Sequence, residues 1–269
     1  MNTKLIIVVI DGCRPDALEP ASTPNLDRII ASGSSTLAVT TAAPPITLPC
    51  HLSIFSSRSP IGHGVTTNTA TPVIASGTFT LFEAAHYSGL SSASFYSWEH
   101  LRNLTPPGVL DRSTMVNTLE MEDGDLLIAG IAAEYLRSAQ PDLCFVYLEG
   151  TDIAGHRHGW MSDTYIDALS TADRALGIIT ETMAAMPEAG YNILVTSDHG
   201  GVDTHHMTPL PEVMTVFLAG AGARIRANHR IAAQASTLDI TPTAAALLGI
   251  ARHRNWEGSV ISEMVAAEK

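Results

Sequence analysis

Short apolar runs rich in β-branched residues recur along the chain and alternate with segments of helical periodicity. The runs are nearly continuous in hydrophobicity, which is typical of strands that are covered on both faces of a parallel sheet. They occupy residues 5–10, 144–149, 192–197 and 214–219. This alternation predicts an α/β fold in which a doubly wound, mostly parallel sheet is flanked by helices.

The segments between the runs supply the helices of this predicted fold. Helical periodicity is found at residues 24–32, 48–56, 80–87, 124–138, 164–185 and 241–248. Residues 64–78 and 103–118 are rich in Thr, Pro and Gly, so we expect irregular excursions there. No repeat or long linker divides the sequence, and we interpret residues 1–269 as a single catalytic domain without a large inserted cap domain.

The charge balance excludes some classes of partner. Lys and Arg number 15 against 27 Asp and Glu, giving a formal net charge of −12. Such a chain repels nucleic-acid polymers and anionic membranes unless bound cations reverse the field locally. No apolar stretch is long enough for a membrane span, and the first run ends at Asp11 without a cleavage signal.

The cysteines indicate a reducing compartment. Cys13, Cys50 and Cys144 are odd in number, far apart and in no C-x-x-C arrangement. Neither a disulfide framework nor a structural zinc site is therefore indicated, and we expect a cytoplasmic location.

Side chains that can bind metals follow three of the predicted strands. Asp11 follows the first, Asp152 follows the second after a short loop, and Asp198 with His199 follows the third. Ligands of doubly wound sheets collect at the carboxyl ends of the strands, so these side chains should meet. Alone, each aspartate is as readily a cap or turn residue, and only their coincidence at one edge favours a site.

Nearby histidines complete a candidate two-metal site. His156 lies four residues after Asp152, and His205 and His206 follow in "GGVDTHHMT". Mixed carboxylate and imidazole ligands suit zinc or manganese better than calcium. Three aspartates and two divalent cations sum to −3 + 4 = +1, which would attract a phosphate ester, and paired metals assist displacement at phosphorus.

The stretch "PPITLPCHLS" offers two nucleophiles, because Thr47 stands three residues ahead of Cys50 where a helical pattern begins. A hydroxyl on a metal at a helix N-terminus can react as an alkoxide, so a metal site favours Thr47.

Several motifs occur in the order found in the alkaline phosphatase superfamily. The sequence resembles its type I phosphodiesterase/nucleotide pyrophosphatase group, and small bacterial relatives in particular. The matching stretches are "VVIDGCRPDAL", "TPNLDRIIASG", "PPITLPCHLSIFSSRSPIGHGV", "GTDIAGHRHG", "TSDHGG", "STLDITPTAAALLGI" and "WEGSVI".

This resemblance implies two zinc ions and a threonine nucleophile that forms a covalent phosphoryl or nucleotidyl intermediate. One ion would be held by Asp11, Thr47, Asp198 and His199, and the other by Asp152, His156 and His206, with His205 as the alternative to His206. Manganese is the second choice of ion.

The resemblance also implies substrate contacts, but these are less well defined. Cys50 stands where nucleotide pyrophosphatases carry an asparagine that binds a nonbridging phosphate oxygen, and a thiol is a poor donor. The processed cysteine of sulfatases belongs to a C-x-[PA]-x-R pattern that Cys50 does not fit. Arg14, His51 and His158 are further candidates, although Arg14 could pair with Asp16 and His51 could be structural.

The sequence therefore predicts a two-metal hydrolase acting on a small phosphorylated substrate, first of all a phosphodiesterase or nucleotide pyrophosphatase. A phosphomonoesterase or a phosphonate hydrolase could use the same site. A homologue that binds a phosphorylated ligand without turning it over is the alternative outside the enzymes.

Overall fold

The computed structural model describes residues 3–267, and its centre is a nine-stranded sheet. The strands are β1 Lys4–Ile10, β2 Ser34–Thr40, β3 Ser92–Tyr96, β4 Arg112–Met115, β5 Leu143–Leu148, β6 Tyr191–Thr196, β7 Thr215–Ala221, β8 His229–Arg230 and β9 Ala235–Ser236. Their order is β4-β3-β5-β1-β6-β7-β2-β8, and β9 pairs with β2.

Most strand pairs are parallel, and β7 is antiparallel to both of its neighbours, β6 and β2. Helices cover both faces of the sheet. They are α1 Pro24–Ser32, α2 Thr47–Ser56, α3 Pro60–His63, α4 Leu81–Tyr87, α5 Gly124–Ala139, α6 Gly150–His158, α7 Asp163–Ala184, α8 Pro211–Met214 and α9 Ile240–Leu248. The predicted fold class is confirmed.

Two apolar layers explain why the central strands have no polar face. Leu5, Ile7 and Val9 of β1 pack into the layer that contains residues of α2, α4 and α9. Ile6 and Val8 face the opposite layer, which contains residues of α1, α5 and α7. Because side chains alternate across a strand, a strand between two layers is expected to be largely apolar on both faces.

The sequence prediction missed elements with little apolar content. The strands β2 and β3 are rich in serine, threonine and alanine, and β4 lies within a segment predicted to be irregular. Helix α6 is absent from the predicted helices, because "GTDIAGHRH" has no apolar stripe. Its start is held by a distant side chain: Asp125 Oδ1 accepts the backbone N–H groups of Glu149 and Gly150 at 2.9 and 3.2 Å.

Among residues 3–267, no helix has both the length and the apolar character needed to cross a membrane.

Ile54, near the end of α2, and Ile61, in α3, provide a matched test of how much core packing contributes to stability. Ile54 of α2 is fully buried in the α2 layer, whereas Ile61 is 90% exposed. We expect Ile54→Ala to lower the free energy of unfolding by about 2–5 kcal/mol, since it leaves a cavity. Ile61→Ala should change it by less than about 0.5 kcal/mol. Urea denaturation followed by circular dichroism measures both, and equal losses would contradict the packing described.

Candidate active site

The site lies at the carboxyl edge of the three adjacent parallel strands β5, β1 and β6. Asp11 follows β1, Asp198 follows β6, and α6 follows β5 after a single residue. Gly12 lets these segments approach closely. Its φ is +65°, and a Cβ atom there would lie 2.9 Å from Asp152 Oδ1. The chain therefore needs glycine at this point.

One cluster of ligand atoms surrounds the Nε2 atom of His199. Asp198 Oδ2 lies 3.3 Å from this nitrogen, and Asp11 Oδ1 lies 3.4 Å from it. Thr47 Oγ1, on the first residue of α2, is also 3.3 Å away. All four side chains are buried, so their polar atoms face one another rather than solvent.

A second cluster adjoins the first and is centred on Asp152. His156, one turn later on α6, places Nε2 3.5 Å from Asp152 Oδ2, and His206 places Nε2 4.0 Å from Oδ1. The ring of His206 stacks on that of His199 with centroids 3.8 Å apart. Asp152, His199 and His206 also satisfy the spacing of a possible metal group. The two clusters therefore share a boundary at His199.

All three histidines are oriented by the backbone in the same way. The Nδ1 atoms of His199, His156 and His206 lie 3.0, 2.9 and 2.7 Å from the carbonyl oxygens of Gly200, Thr204 and Pro45. A carbonyl can only accept, so each Nδ1 carries the proton and each Nε2 keeps its lone pair. Imidazoles that bind metals are commonly held by this arrangement.

The carboxylates have the unsatisfied atoms that a cation would need. Asp11 Oδ1, Asp152 Oδ1 and Asp198 Oδ2 are buried and have no hydrogen-bond partner. Burial, together with the charge of Asp198, raises the pKa values of Asp11 and Asp152 well above their usual range. Burial lowers the pKa of His206 to about 3, so its ring is neutral. Neutral imidazoles and unpaired carboxylate oxygens fit divalent metal ions.

A cavity of about 190 Å³ opens onto these groups. Four of the residues that line it were not singled out from the sequence: Asn68, Trp98, Tyr147 and Glu149. Tyr147 Oη donates a short hydrogen bond to Asp11 Oδ2, and Asn68 Oδ1 accepts the N–H of Leu48 at 3.0 Å.

A sequence signal existed for two of these four residues. Tyr147 and Glu149 are two positions apart at the end of β5, so their side chains are expected to point to the same side of the sheet. They also lie just before Asp152, which was already a candidate. Asn68 and Trp98 lie outside helices and strands and gave no such signal.

The predicted metal ligands and Thr47 are brought together, whereas the predicted substrate contacts do not line this cavity. Cys50 is fully buried, and its Sγ lies 3.6 and 3.8 Å from the carbonyl oxygens of Ala42 and Pro44. Burial raises the pKa of its thiol, so the group stays protonated. The thiol that was predicted to stand beside a phosphate oxygen therefore does not line this cavity.

The three other candidates also have different surroundings. Arg14 forms a bidentate ion pair with Asp16, in which Nε and Nη2 donate to Oδ1 and Oδ2 at 2.9 and 2.6 Å. His51 Nδ1 donates to Thr47 O at 2.9 Å and lies 3.4 Å from Asp198 Oδ2. The ring therefore contacts two residues of the first cluster without lining the cavity. His158 lines a separate cavity of about 450 Å³ beside α5 and α7.

The adjacent histidines at the end of the loop are clearly distinguished. His206 is 6% exposed and points into the clusters, whereas His205 is exposed. The preference for His206 over His205 thus agrees with the geometry.

Comparisons with known proteins identify relatives over most of the chain. The family model of type I phosphodiesterase/nucleotide pyrophosphatase matches residues 5–255. Ectonucleotide pyrophosphatase/phosphodiesterase family member 3 of Rattus norvegicus is 26% identical over 256 residues, covering 84% of this chain and 28% of the relative. Member 7 of Homo sapiens is 25% identical over 232 residues, covering 74% and 48%. The chain thus spans between about a quarter and a half of these relatives.

Solved structures share the fold. An inactive form of murine ectonucleotide pyrophosphatase/phosphodiesterase 5 in complex with AMP has a TM-score of 0.80 and 16% identity, covering 98% of this chain and 100% of the other. A 2-O GAG sulfatase has a TM-score of 0.80 and 14% identity, covering 97% and 74%. The architecture is therefore common to phosphodiesterases and sulfatases, and only the site can separate them.

The family match covers nearly all of the sequence between β1 and the segment after α9. The carboxylate and imidazole clusters at the carboxyl edge of the sheet lie within the matched residues. The chain belongs to the type I phosphodiesterase/nucleotide pyrophosphatase family of the alkaline phosphatase superfamily.

Proposed function

We propose that this protein is a two-metal hydrolase of small phosphodiesters that uses Thr47 as its nucleophile. The observation that carries the proposal is the convergence of Thr47 Oγ1 with unpaired carboxylate oxygens and imidazole Nε2 atoms beside one cavity. A thiol nucleophile is not supported, because the side chain of Cys50 is fully buried and does not line that cavity.

The two clusters support a division of the ligands between two ions. Asp11, Thr47, Asp198 and His199 would hold one ion, and Asp152, His156 and His206 would hold the other, both being zinc. When bound, the two cations lower the pKa of the Thr47 hydroxyl and neutralise charge on the phosphoryl oxygens.

The position of Thr47 suits attack on phosphorus. Its hydroxyl stands at the N-terminus of the ten-residue helix α2, where the helix dipole favours developing negative charge. The oxygen loses its proton and forms a bond to phosphorus, while the bond from phosphorus to one ester oxygen breaks and that oxygen takes up a proton. Water then cleaves the phosphothreonine and regenerates the hydroxyl.

Two other side chains assist in this scheme. Asn68 uses its amide oxygen to accept from Leu48, which leaves its NH₂ group to donate to a nonbridging phosphate oxygen. Tyr147 fixes one oxygen of Asp11 through its hydroxyl, so that the other oxygen stays directed at His199.

The nucleophile is tested with bis(4-nitrophenyl) phosphate and 4-nitrophenyl phosphate on zinc-loaded protein. We expect preferential release of nitrophenol from the diester. Thr47→Ala should lower kcat by on the order of a thousandfold or more, because the covalent step is lost. Thr47→Ser should keep partial activity, and Cys50→Ala should keep most of it. An inactive Cys50→Ala with a normal Thr47→Ala would assign the nucleophile to the thiol.

The adjacent histidines provide a matched test of metal binding. Zinc measured by elemental analysis after reconstitution should be about two equivalents per chain in the wild type. We expect His206→Ala to lose close to one equivalent, because it removes a buried ligand. His205→Ala should keep both, since this ring is exposed. The opposite order would show that the loop ligand had been misassigned.

Without bound metal ions, repulsion between the clustered carboxylates should lower the stability of the folded protein. Burial and neighbouring charge raise the pKa of Asp152 in the folded chain, so at pH 7 ionisation opposes folding. In EDTA-treated protein we therefore expect Asp152→Asn to raise Tm, by about 2–4 °C for each kcal/mol of relieved repulsion.

That gain should shrink as the pH falls and should vanish below about pH 3, where the carboxyl is protonated in both the folded and the unfolded state. In the presence of zinc the same substitution should lower Tm. A lower Tm for Asp152→Asn in EDTA at pH 7 would contradict the crowding argument.

A further inference from the structure

A second cavity lies beside helices α6 and α7 and takes no part in the proposed hydrolysis. Its volume is about 450 Å³, which is within the roughly 300–1,000 Å³ of sites that hold small molecules. Within residues 3–267, it has no lining residue in common with the cavity at the metal clusters. A molecule bound there would therefore occupy a site separate from the reacting groups.

The walls of this second cavity are two helix faces and one irregular segment. Helix α7 contributes Thr164, Asp167, Ala168 and Thr171, and α6 contributes Gly150, Ile153, Ala154 and Arg157. Both sets have the spacing of a single helical face. The third wall is the segment 118–122, which Arg157 holds against α6 by donating to Leu119 O and Glu120 Oε1 at 3.1 and 3.0 Å.

One buried acid in the lining has an oxygen without a partner. Asp125 is only 4% exposed, and its Oδ1 accepts the N–H groups of Glu149 and Gly150. Its Oδ2 has no hydrogen-bond partner. A Cβ atom on Gly150 would lie 2.9 Å from Oδ2, so this oxygen lies beside another residue of the cavity wall. A buried acceptor without a donor is costly, and a ligand with an N–H group would supply one.

The charges of the lining favour a cationic ligand. Four carboxylates line the cavity, those of Glu120, Glu122, Asp125 and Asp167. Arg157 is the one arginine in the lining, and it is already paired with Glu120 at 3.0 Å. Even with His158 protonated, the carboxylates outnumber the cationic side chains. The lining would therefore repel an anion and attract a cation.

The spacing of these carboxylates distinguishes an organic cation from a metal ion. Among residues 3–267, the groups of three or more His, Cys, Asp and Glu whose ligand atoms lie close enough to hold a metal are both at the active site. The acids of the second cavity are interspersed with apolar side chains, namely Leu119, Met121, Ile153, Ala154 and Ala168. Separated charges with apolar surface between them fit a molecule in which methylene groups join two or more ammonium groups.

We propose that this second cavity binds an aliphatic polyamine, with one ammonium group donating a hydrogen bond to Asp125 Oδ2. The proposal does not depend on the reaction at the metal clusters. Burial raises the pKa of Asp125 to about 7, and an adjacent ammonium group would stabilise the ionised carboxylate.

Binding is tested by isothermal titration calorimetry of zinc-loaded protein at pH 8. At this pH the Asp125 carboxyl is mostly ionised, and alkylammonium groups like that of lysine remain charged. The probe is 1,6-diaminohexane, and 1,6-hexanediol is its uncharged counterpart. We expect one saturable site for the diamine and none for the diol. Asp125→Asn keeps an oxygen that can accept from α6 but removes the charge, so it should weaken binding by about tenfold or more, equivalent to at least about 1.4 kcal/mol.

Four variants of α7 locate the site. Ala168→Phe places a large ring in the cavity without changing its charge, whereas Ala184→Phe adds the same ring at an exposed position of the same helix. Asp167→Asn removes a charge from the lining, and Glu181→Gln removes one from an exposed position outside it. We expect Ala168→Phe to weaken diamine binding by about tenfold or more and Asp167→Asn to weaken it severalfold. Both controls should bind as the wild type does.

The outcomes distinguish this site from other acidic surfaces, including the cavity at the metal clusters. If Asp125→Asn, Ala168→Phe and Asp167→Asn all bind the diamine as the wild type does, the cation lies elsewhere and the proposal is refuted. Equal binding of diamine and diol, or no binding of either, also refutes it. If Ala168→Phe does not fold, Asp167→Asn against Glu181→Gln decides. Diamine binding that depends on Asp125 in a protein inactive toward phosphodiesters would refute the proposed function and support this site.

Discussion

The structure depends on three carboxylates that meet where solvent is nearly excluded. Asp11, Asp152 and Asp198 come from different segments, and each has an oxygen without a hydrogen-bond partner. Like charges in a poorly solvated space repel strongly, so the arrangement is unfavourable unless cations enter it. The fold meets part of this cost itself, since Asp198 Oδ1 accepts the N–H groups of Gly12 and His199. The three carboxylate oxygens that still lack a partner are the observation that best supports a metal centre.

The scaffold holds these groups from several directions. Parallel strands deliver Asp11 and Asp198 to one edge, α2 brings Thr47 from one face of the sheet, and α6 presents Asp152 and His156 on a single turn. Helix α6 is itself positioned by Asp125, a residue of α5 that caps its first N–H groups. These groups are therefore placed by elements of the packed core, which favours a precise geometry.

The sequence predicted those parts of the molecule in which local pattern and burial coincide. Strands covered on both faces were recognisable from continuous hydrophobicity, and the clustering of the aspartates followed from their positions at strand ends. Helix α6 was not recognisable, because its start depends on the distant Asp125 and not on its own composition. Asn68 reaches the site from an irregular segment, so no periodicity could reveal it. Cys50 lies on the same helix as Thr47, but its side chain turns away from the cavity toward the carbonyl oxygen of Ala42, which the sequence pattern did not indicate.

The backbone bonds to Nδ1 of His199, His156 and His206 have a consequence for how the protein acquires its ions. Backbone carbonyls, rather than an ion, set the tautomer and the orientation of the three imidazoles, so little side-chain entropy remains to be lost when an ion binds. Ions can thus be taken up or exchanged after the chain has folded, without a rearrangement of the rings. Which ion occupies the centre then follows from the local supply of competing metals as much as from the protein itself.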